Sequence, residues 1–359
     1  MTCEMAEFSD SALLELFERH RNELRLHCYR MLGSSHDADD MLQEAALRAW
    51  RGKGAIEEPA HARAWLYRIA TNVCLDELGR RRSRVLPFEA GPPVAEASFT
   101  PLPADREAFI EPCPQVWFEG GAADPAARYE MNESVTLAFV AALQELTPTQ
   151  RATLLLRDVV GLSADETARA LELGLPAANS ALFRARAAVE TKLLGQHRAK
   201  LATPSAAVQG VLARYLAAWN QLDVEAFVAL LHDEVRTTMP PSPSWIAGRA
   251  LNADFYRPMF AAQRAGAFVA IPAAANAVAA FAFYRALATG EPHRLRAIQL
   301  VDVRDDAIVG IDHFMLPELG PLFQLPPELE QPQVDLALDG RPCLQIADEH
   351  FSGRSRSHG

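Results

Sequence analysis

Three runs of this sequence place side chains suited to gripping another macromolecule. In Ala62–Arg82, the residues Trp65, Arg68, Asn72 and Asp76 recur at three- and four-residue spacing, and Arg80, Arg81 and Arg82 follow. An aromatic ring beside hydrogen-bonding groups, next to a guanidinium cluster, suits an unstacked base held against a phosphate track. The same pattern also describes a Trp half-buried in a core with arginines in water. In Ser35–Trp50, Asp37, Asp40, Glu44 and Arg48 form a stripe beside an inner face of Met41, Leu42, Ala45 and Ala49. Such a stripe is ordinarily a solvated surface; the sharper reading is a docking face for a basic partner helix. In Leu162–Arg186, a capped helix, a turn at Leu173-Gly174 and a second helix opened by Pro176 have the layout of a helix-turn-helix. Its second helix turns Leu175, Ala178, Leu182, Ala185 and Val189 inward. Asn179, Ser180, Phe183, Arg184 and Arg186 are left facing a major groove.

The elements that position these residues can be read from local signals. Residues 8–84 carry helical apolar clusters such as Leu13, Leu14, Leu16 and Phe17. Thr147-Pro148-Thr149-Gln150 and Ser163-Ala164-Asp165-Glu166 are capping boxes, so helices begin there. Between residue 84 and the first of these boxes, eight of the 24 prolines fall in Leu86–Pro125 among Glu and Asp, which predicts an extended acidic linker over 85–126. Its aromatic clump, Phe109, Trp117 and Phe118, is where part of it would dock. After Pro204, helices over Ala206–Asn220 and Val224–Leu231 give way to period-two runs at Val235–Met239, Phe268–Ile271, Ala279–Ala286, Arg294–Val303 and Ala307–Met315. These read as a curved antiparallel sheet. The fold class is therefore multidomain: an all-α N-terminal half followed by an α+β C-terminal domain. A Pro-rich polar stretch over 323–359 reads as a flexible tail.

The net charge of −11 hides two basic islands, +4 over residues 61–84 and +3 over 148–201. Salt screens charge beyond roughly 8–10 Å, so a phosphate backbone responds to the island and not to the total. The five cysteines, Cys3, Cys28, Cys74, Cys113 and Cys343, are scattered without a C-x-x-C pair. That predicts a reducing cytoplasm and no metal site. With no long apolar run and an acidic N-terminus, neither a membrane span nor a secretory signal is expected.

The segments "HDADDMLQEAALRAW", "ARAWLYRIATNVCLDELGRRR" and "LTPTQRATLLLRDVVGLSADETARAL…NSALFRARAAV", in that order around an acidic linker, closely resemble extracytoplasmic-function (ECF) sigma factors. The resemblance implies sigma region 2 over 8–84 and region 4 over 127–200. It implies that Asp37, Asp40, Gln43 and Glu44 meet core RNA polymerase, whose β′ clamp helices and β flap would be the surfaces engaged. Trp65, Arg68, Asn72, Asp76, Arg80, Arg81 and Arg82 would open and read the −10 element of promoter DNA. Asn179, Ser180, Phe183, Arg184 and Arg186 would read the −35 element. The recognition helix departs from the family pattern, with Asn179 and Ala181 where a Lys and an Arg are usual. Strong −35 binding without polymerase is therefore not expected.

Residues 205–322 resemble the SnoaL-like cone-shaped α+β fold of polyketide cyclases and ketosteroid isomerases, through "VLARYLAAWNQLDVEAFVALLHDEV", Gly248-Arg249 and "IVGIDHF". Enzymes of that fold keep a proton-moving side chain in the cavity. Here Trp245, Tyr256, Asn276 and His313 are the candidates to line a small-molecule cavity. Asp312 and His313 alternate along a strand and make a poor dyad. The expectation is a regulatory domain acting in cis, with no enzymatic activity and no cofactor.

Overall fold

The computed structural model describes residues 10–52, 61–98, 106–118, 131–194 and 206–329. They fall into two compact units: residues up to 84 together with 117–198, and residues 85–116 together with the chain from 199 onward.

In the N-terminal unit, α1 (Asp10–Leu32), α2 (Ser35–Gly52) and α3 (Ala62–Leu78) pack along one apolar seam. Leu24, Cys28 and Met31 meet there with Leu42, Ala45, Leu66, Ala70, Val73 and Cys74, each at most 2% exposed. The second half of the unit comprises α4 (Leu137–Gln144), α5 (Pro148–Leu154), α6 (Ala164–Ala170) and α7 (Leu175–Leu194). A π-turn, Leu155–Val159, follows α5. Both expected capping boxes form. Thr147 Oγ1 accepts from Gln150 N–H, and Gln150 Oε1 accepts from Thr147 N–H. Ser163 and Glu166 repeat the exchange, and those bonds hold the Glu166 carboxyl below its usual range.

Arg151 joins the two halves of this unit. Its fully buried guanidinium donates to Met31 O at the end of α1, to Gln144 Oε1 and O, and to Leu146 O. Every one of these acceptors is neutral, so burial lowers its pKa to about 10. Arg30 adds bonds to Ser134 O and Oγ.

In the C-terminal unit, α8 (Ala206–Gln221), α9 (Val224–Ala229) and α10 (Arg249–Ala261) pack with a seven-stranded sheet. Its strands are β1 (Leu231–Thr238), β2 (Trp245–Ala247), β3 (Phe268–Ala275), β4 (Val278–Arg285), β5 (His293–Arg304), β6 (Ala307–Phe314) and β7 (Glu328–Leu329). The order is β2-β1-β6-β5-β4-β3, with β7 added to β5; only β1 and β6 run parallel. β3 continues through Pro272 because it is an edge strand, where a missing donor is tolerated. β2, α10 and β7 have no counterpart in the sequence expectation. β2 and β7 are too short to show a period, and α10 carries Pro258 in its interior.

Two boundaries differ from those expected. Residues 85–98 and 106–116 are not a free linker: they fold onto the C-terminal unit. Pro87–Ala90 makes one helical turn, Val85 N–H bonds Ala108 O, and Ile110 N–H bonds Val85 O. Leu86, Phe109, Ile110 and Cys113 are buried there. Proline and acid deny this stretch a regular ladder, yet its scattered apolar side chains still find a core. Trp117 and Phe118 are buried in the N-terminal unit. At the other end, residues 323–329, expected in a flexible tail, pack on the C-terminal unit. Phe323 and Leu325 are buried, Tyr284 donates to Pro326 O, and β7 pairs with β5. Residues 330–359 lie outside the described ones, as do 99–105 and 119–130.

Candidate functional site

On α2 the buried row Leu42, Ala45 and Ala49 turns the opposite face outward, exposing Asp40 and Gln43. Leu47 and Trp50 continue this exposed stripe at helical spacing, 52% and 48% exposed. The sequence reading passed over both as site residues, although a large apolar pair on a polar face was the signal. Asp37 and Glu44 stand partly buried beside this stripe on α2, and arginines engage both. The Asp37 carboxylate accepts from Arg81 at 2.9 Å and Arg84 at 2.7 Å. Glu44 accepts from Arg48 at 2.8 Å, and Arg48 also reaches Asp76 at 2.8 Å across to α3. These two bonds, Asp76 first, raise the Arg48 pKa.

α3 separates the residues that spacing had grouped. Arg68 is exposed, Asn72 half-buried, and Asp76 exposed but paired with Arg48. Trp65 is a correction: it turns into the core at 9% exposure, its ring lying beside Gly52 at the end of α2. A three-residue step along a helix advances about 300°, so Trp65 is 60° away from Arg68 and falls within reach of the apolar seam. Arg80 and Arg82 are exposed beyond the helix end, and Arg81 is shared between Asp37 and Glu77.

The second helix of the helix-turn-helix, α7, buries Ala178, Leu182, Ala185 and Val189 as its periodicity requires; Leu175, expected inside, is 40% exposed. Asn179, Ser180, Phe183, Arg184 and Arg186 are all exposed, and Phe183 reaches 76%. Two of the five are engaged within the fold. Arg184 donates to Ser180 Oγ at 2.9 Å. Arg186 makes a two-pronged pair with Asp158 of the π-turn, at 2.6 and 2.8 Å, which raises its pKa.

Inside the C-terminal unit, Tyr256 and His313 do meet, with Tyr256 Oη 2.7 Å from His313 Nε2. Tyr215 donates to Gln299 Oε1, and Gln299 Nε2 in turn contacts His313 Nδ1. This chain assigns Nδ1 as acceptor and Nε2–H as donor, so both ring nitrogens are spent on protein partners. Burial lowers the His313 pKa to about 3 and raises both tyrosines. Trp219, Phe227, Phe260, Phe281 and Phe283 surround the chain, with Trp219 and Phe283 ring centres 4.7 Å apart. Asp312, on the other face of β6, accepts from Thr238 at 2.6 Å. Among the described residues no group of His, Cys, Asp and Glu is arranged to hold a metal ion.

Residues 16–84 match Sigma-70 region 2, residues 136–189 match Sigma-70, region 4, and residues 212–311 match the SnoaL-like domain. The ECF RNA polymerase sigma factor SigG of Mycobacterium tuberculosis is 38% identical over 312 residues, 87% of this chain and 83% of that protein. The chain belongs to the ECF RNA polymerase sigma factors. As a member it is an initiation factor that works with RNA polymerase at specific promoters. SigJ of the same organism is 30% identical over 222 residues, 62% of this chain and 63% of that protein. The crystal structure of SigJ aligns with a TM-score of 0.53 over 87% of this chain and 100% of that one, at 24% identity, a likeness of fold.

In this sigma factor the remaining two cavity candidates do not join Tyr256 and His313. Both hold the segment between regions 2 and 4. Trp245 Nε1 donates to Gly91 O at 2.8 Å, Trp245 O accepts from Val94 N–H, and the Phe88 ring meets the indole edge-on. The Arg236 guanidinium lies 4.0 Å from the centre of the Phe88 ring. Asn276 binds Cys113, and Pro114 bridges to Ala275. Val94 thus sits on β2 and Pro114 on the end of β3, the two edge strands of the sheet. Among the described residues no helix is long and apolar enough to cross a membrane.

Proposed function

We propose that this sigma factor engages core RNA polymerase through the exposed α2 stripe of Asp40, Gln43, Leu47 and Trp50. Arg68, Asn72, Arg80 and Arg82 act on the −10 element, and α7 presents Asn179, Ser180, Phe183 and Arg184 to the −35 element. Core polymerase and promoter DNA are its partners, and the reaction takes place in the cytoplasm. The observation that supports this assignment is the exposure of the α2 and α7 sets opposite buried apolar rows, with Arg68 exposed on α3 and Arg80 and Arg82 exposed just past its end. Run-off transcription on genomic fragments with purified core polymerase tests it. Sequence-specific DNA affinity that is equal with and without polymerase overturns it.

The C-terminal domain regulates the sigma core in cis. Its cone interior is packed with aromatic rings, and both nitrogens of His313 are committed to protein partners, so this imidazole is not poised as a base. Instead the domain grips the segment that tethers region 2 to region 4, through Trp245, Arg236 and Asn276. Tethering within one chain raises the effective concentration of such a contact to the millimolar range, so weak individual bonds suffice. A small molecule bound by the domain would change this grip only through its differential affinity for the two forms. Matched amounts of the full chain, of a chain ending after Leu329 and of one ending after Leu201 should give different transcript yields. Equal yields from all three would make the domain a passenger.

A further inference from the structure

Asp37 lies in the family's polymerase-facing motif, and Arg81 lies in its −10 cluster, 44 residues away. The fold brings them together. One oxygen, Asp37 Oδ2, accepts from Arg81 Nη1 at 2.9 Å and from Arg84 Nη2 at 2.7 Å. The two arginines are not equivalent. The Arg84 side chain is 5% exposed and the Arg81 side chain 33%. Arg84 is therefore a fixed partner that keeps Asp37 and the end of α3 in place. Arg81 lies at the water boundary and can be exchanged without opening the core.

An arginine whose charge is shared with two carboxylates, Asp37 and Glu77, is a poor ligand for phosphate. Binding DNA would require it to give up at least one of them. A basic segment of polymerase arriving on α2 would compete for the partly exposed Asp37 carboxylate, and both exchanges would then run in the same direction. We infer that Asp37 is a charge relay between the two surfaces: it occupies Arg81 while polymerase is absent and releases it to the DNA backbone when polymerase docks on α2. This inference rests on the assignment of α2 to polymerase and of the Arg80–Arg82 run to DNA. It gives a physical reason for DNA binding to strengthen when polymerase docks: the same carboxylate serves both contacts.

The test uses the full-length chain and a short duplex of arbitrary sequence, because phosphate contacts are sequence-independent. Asp37→Asn should tighten binding by the free chain about two- to fivefold, the range of a partly exposed ion pair. It should also steepen the dependence of log affinity on log salt by about one unit. Adding Arg81→Ala to Asp37→Asn should cancel both changes. Arg81→Ala alone should weaken DNA binding by the polymerase complex more than DNA binding by the free chain; this arm leaves the Asp37–Arg84 bond untouched and guards against misfolding of the first variant. Equal effects of Arg81→Ala with and without polymerase overturn the relay, as does an unchanged salt slope in a folded Asp37→Asn chain. A wild-type chain that fails to bind core polymerase would instead overturn the underlying functional assignment.

Discussion

Asn276 and Cys113, 163 residues apart in sequence, exchange two hydrogen bonds: Asn276 Oδ1 accepts from Cys113 N–H at 2.7 Å, and Asn276 N–H donates to Cys113 O at 3.0 Å. Asn276 occupies the left-handed region, φ +49°, in the two-residue turn between β3 and β4. Asn is among the few side chains that tolerate that conformation, and here it also supplies the acceptor. One residue thus closes a hairpin and holds the segment between regions 2 and 4.

Asn276→Asp keeps the conformation and the acceptor but encloses a carboxylate, so its cost should come from that buried charge and not from loss of the Cys113 bond. Asn276→Ala loses the bond and strains the turn, at a cost of about 1–2 kcal/mol. Hydrogen exchange at the Cys113 amide checks it: protection should fall in the Ala variant and persist in the Asp variant.

Ala277 follows Asn276 with φ +59°, where a side chain costs about 1 kcal/mol and glycine costs little. Ala277→Gly should therefore stabilise the C-terminal unit by up to about 1 kcal/mol, raising its melting temperature by about 2–4 °C. A lower melting temperature would mean that the Ala277 methyl makes contacts worth more than the strain.

Trp65 packs inside region 2. Trp65→Ala should cost about 3 kcal/mol of stability, the lower end for a core indole because its edge stays 9% exposed. Trp65→Phe should keep most of that stability. Thermal melts decide: a Trp65→Ala chain as stable as the wild type, yet unable to open promoters, would return Trp65 to the DNA surface.

Each unit buries a histidine whose pKa is lowered. His27, bonded to Thr71 Oγ1, and His313 are both held at about 3 by burial, against an ordinary value of 6.5. The unfolded chain binds protons that the native state refuses. The resulting stability is complete above pH 6.5 and is lost as pH falls from there towards 3. The slope is about 1.4 kcal/mol per pH unit for each histidine. Denaturant titrations at about pH 7 and about pH 5 should show both units weakening; a unit whose stability does not change over that range has a histidine that titrates normally.

Asp158 neutralises Arg186 on the recognition helix through a two-pronged pair. Asp158→Asn should free that guanidinium for phosphate, tightening −35 duplex binding a few-fold and steepening its salt dependence by about one unit. Weaker binding would show that Asp158 instead holds Arg186 in place for its DNA contact.

Whatever depended on near neighbours along the chain was legible in the residues alone. The Thr147 and Ser163 caps bond three residues onward, and the buried row Ala178, Leu182, Ala185 and Val189 follows the helical period, so local geometry determines both. That is why helices of the N-terminal half and most strands of the sheet are legible in the residues, whereas their assignment to regions 2 and 4 rests on the family resemblance. The tertiary structure decided what each exposed or polar side chain does, because the deciding partner lies far away in the chain. A period assigns a face to Trp65, but only the end of α2 makes that face interior. Asp37 and Arg81 each read as surface charge until the fold sets them 2.9 Å apart. Composition marks 85–126 as a linker, since proline and acid disfavour regular structure, yet residues 85–98 and 106–116 fold onto the C-terminal unit. The energy that fixes them comes from Trp245, Arg236 and Asn276, more than 100 residues further on, and no local rule reaches that far.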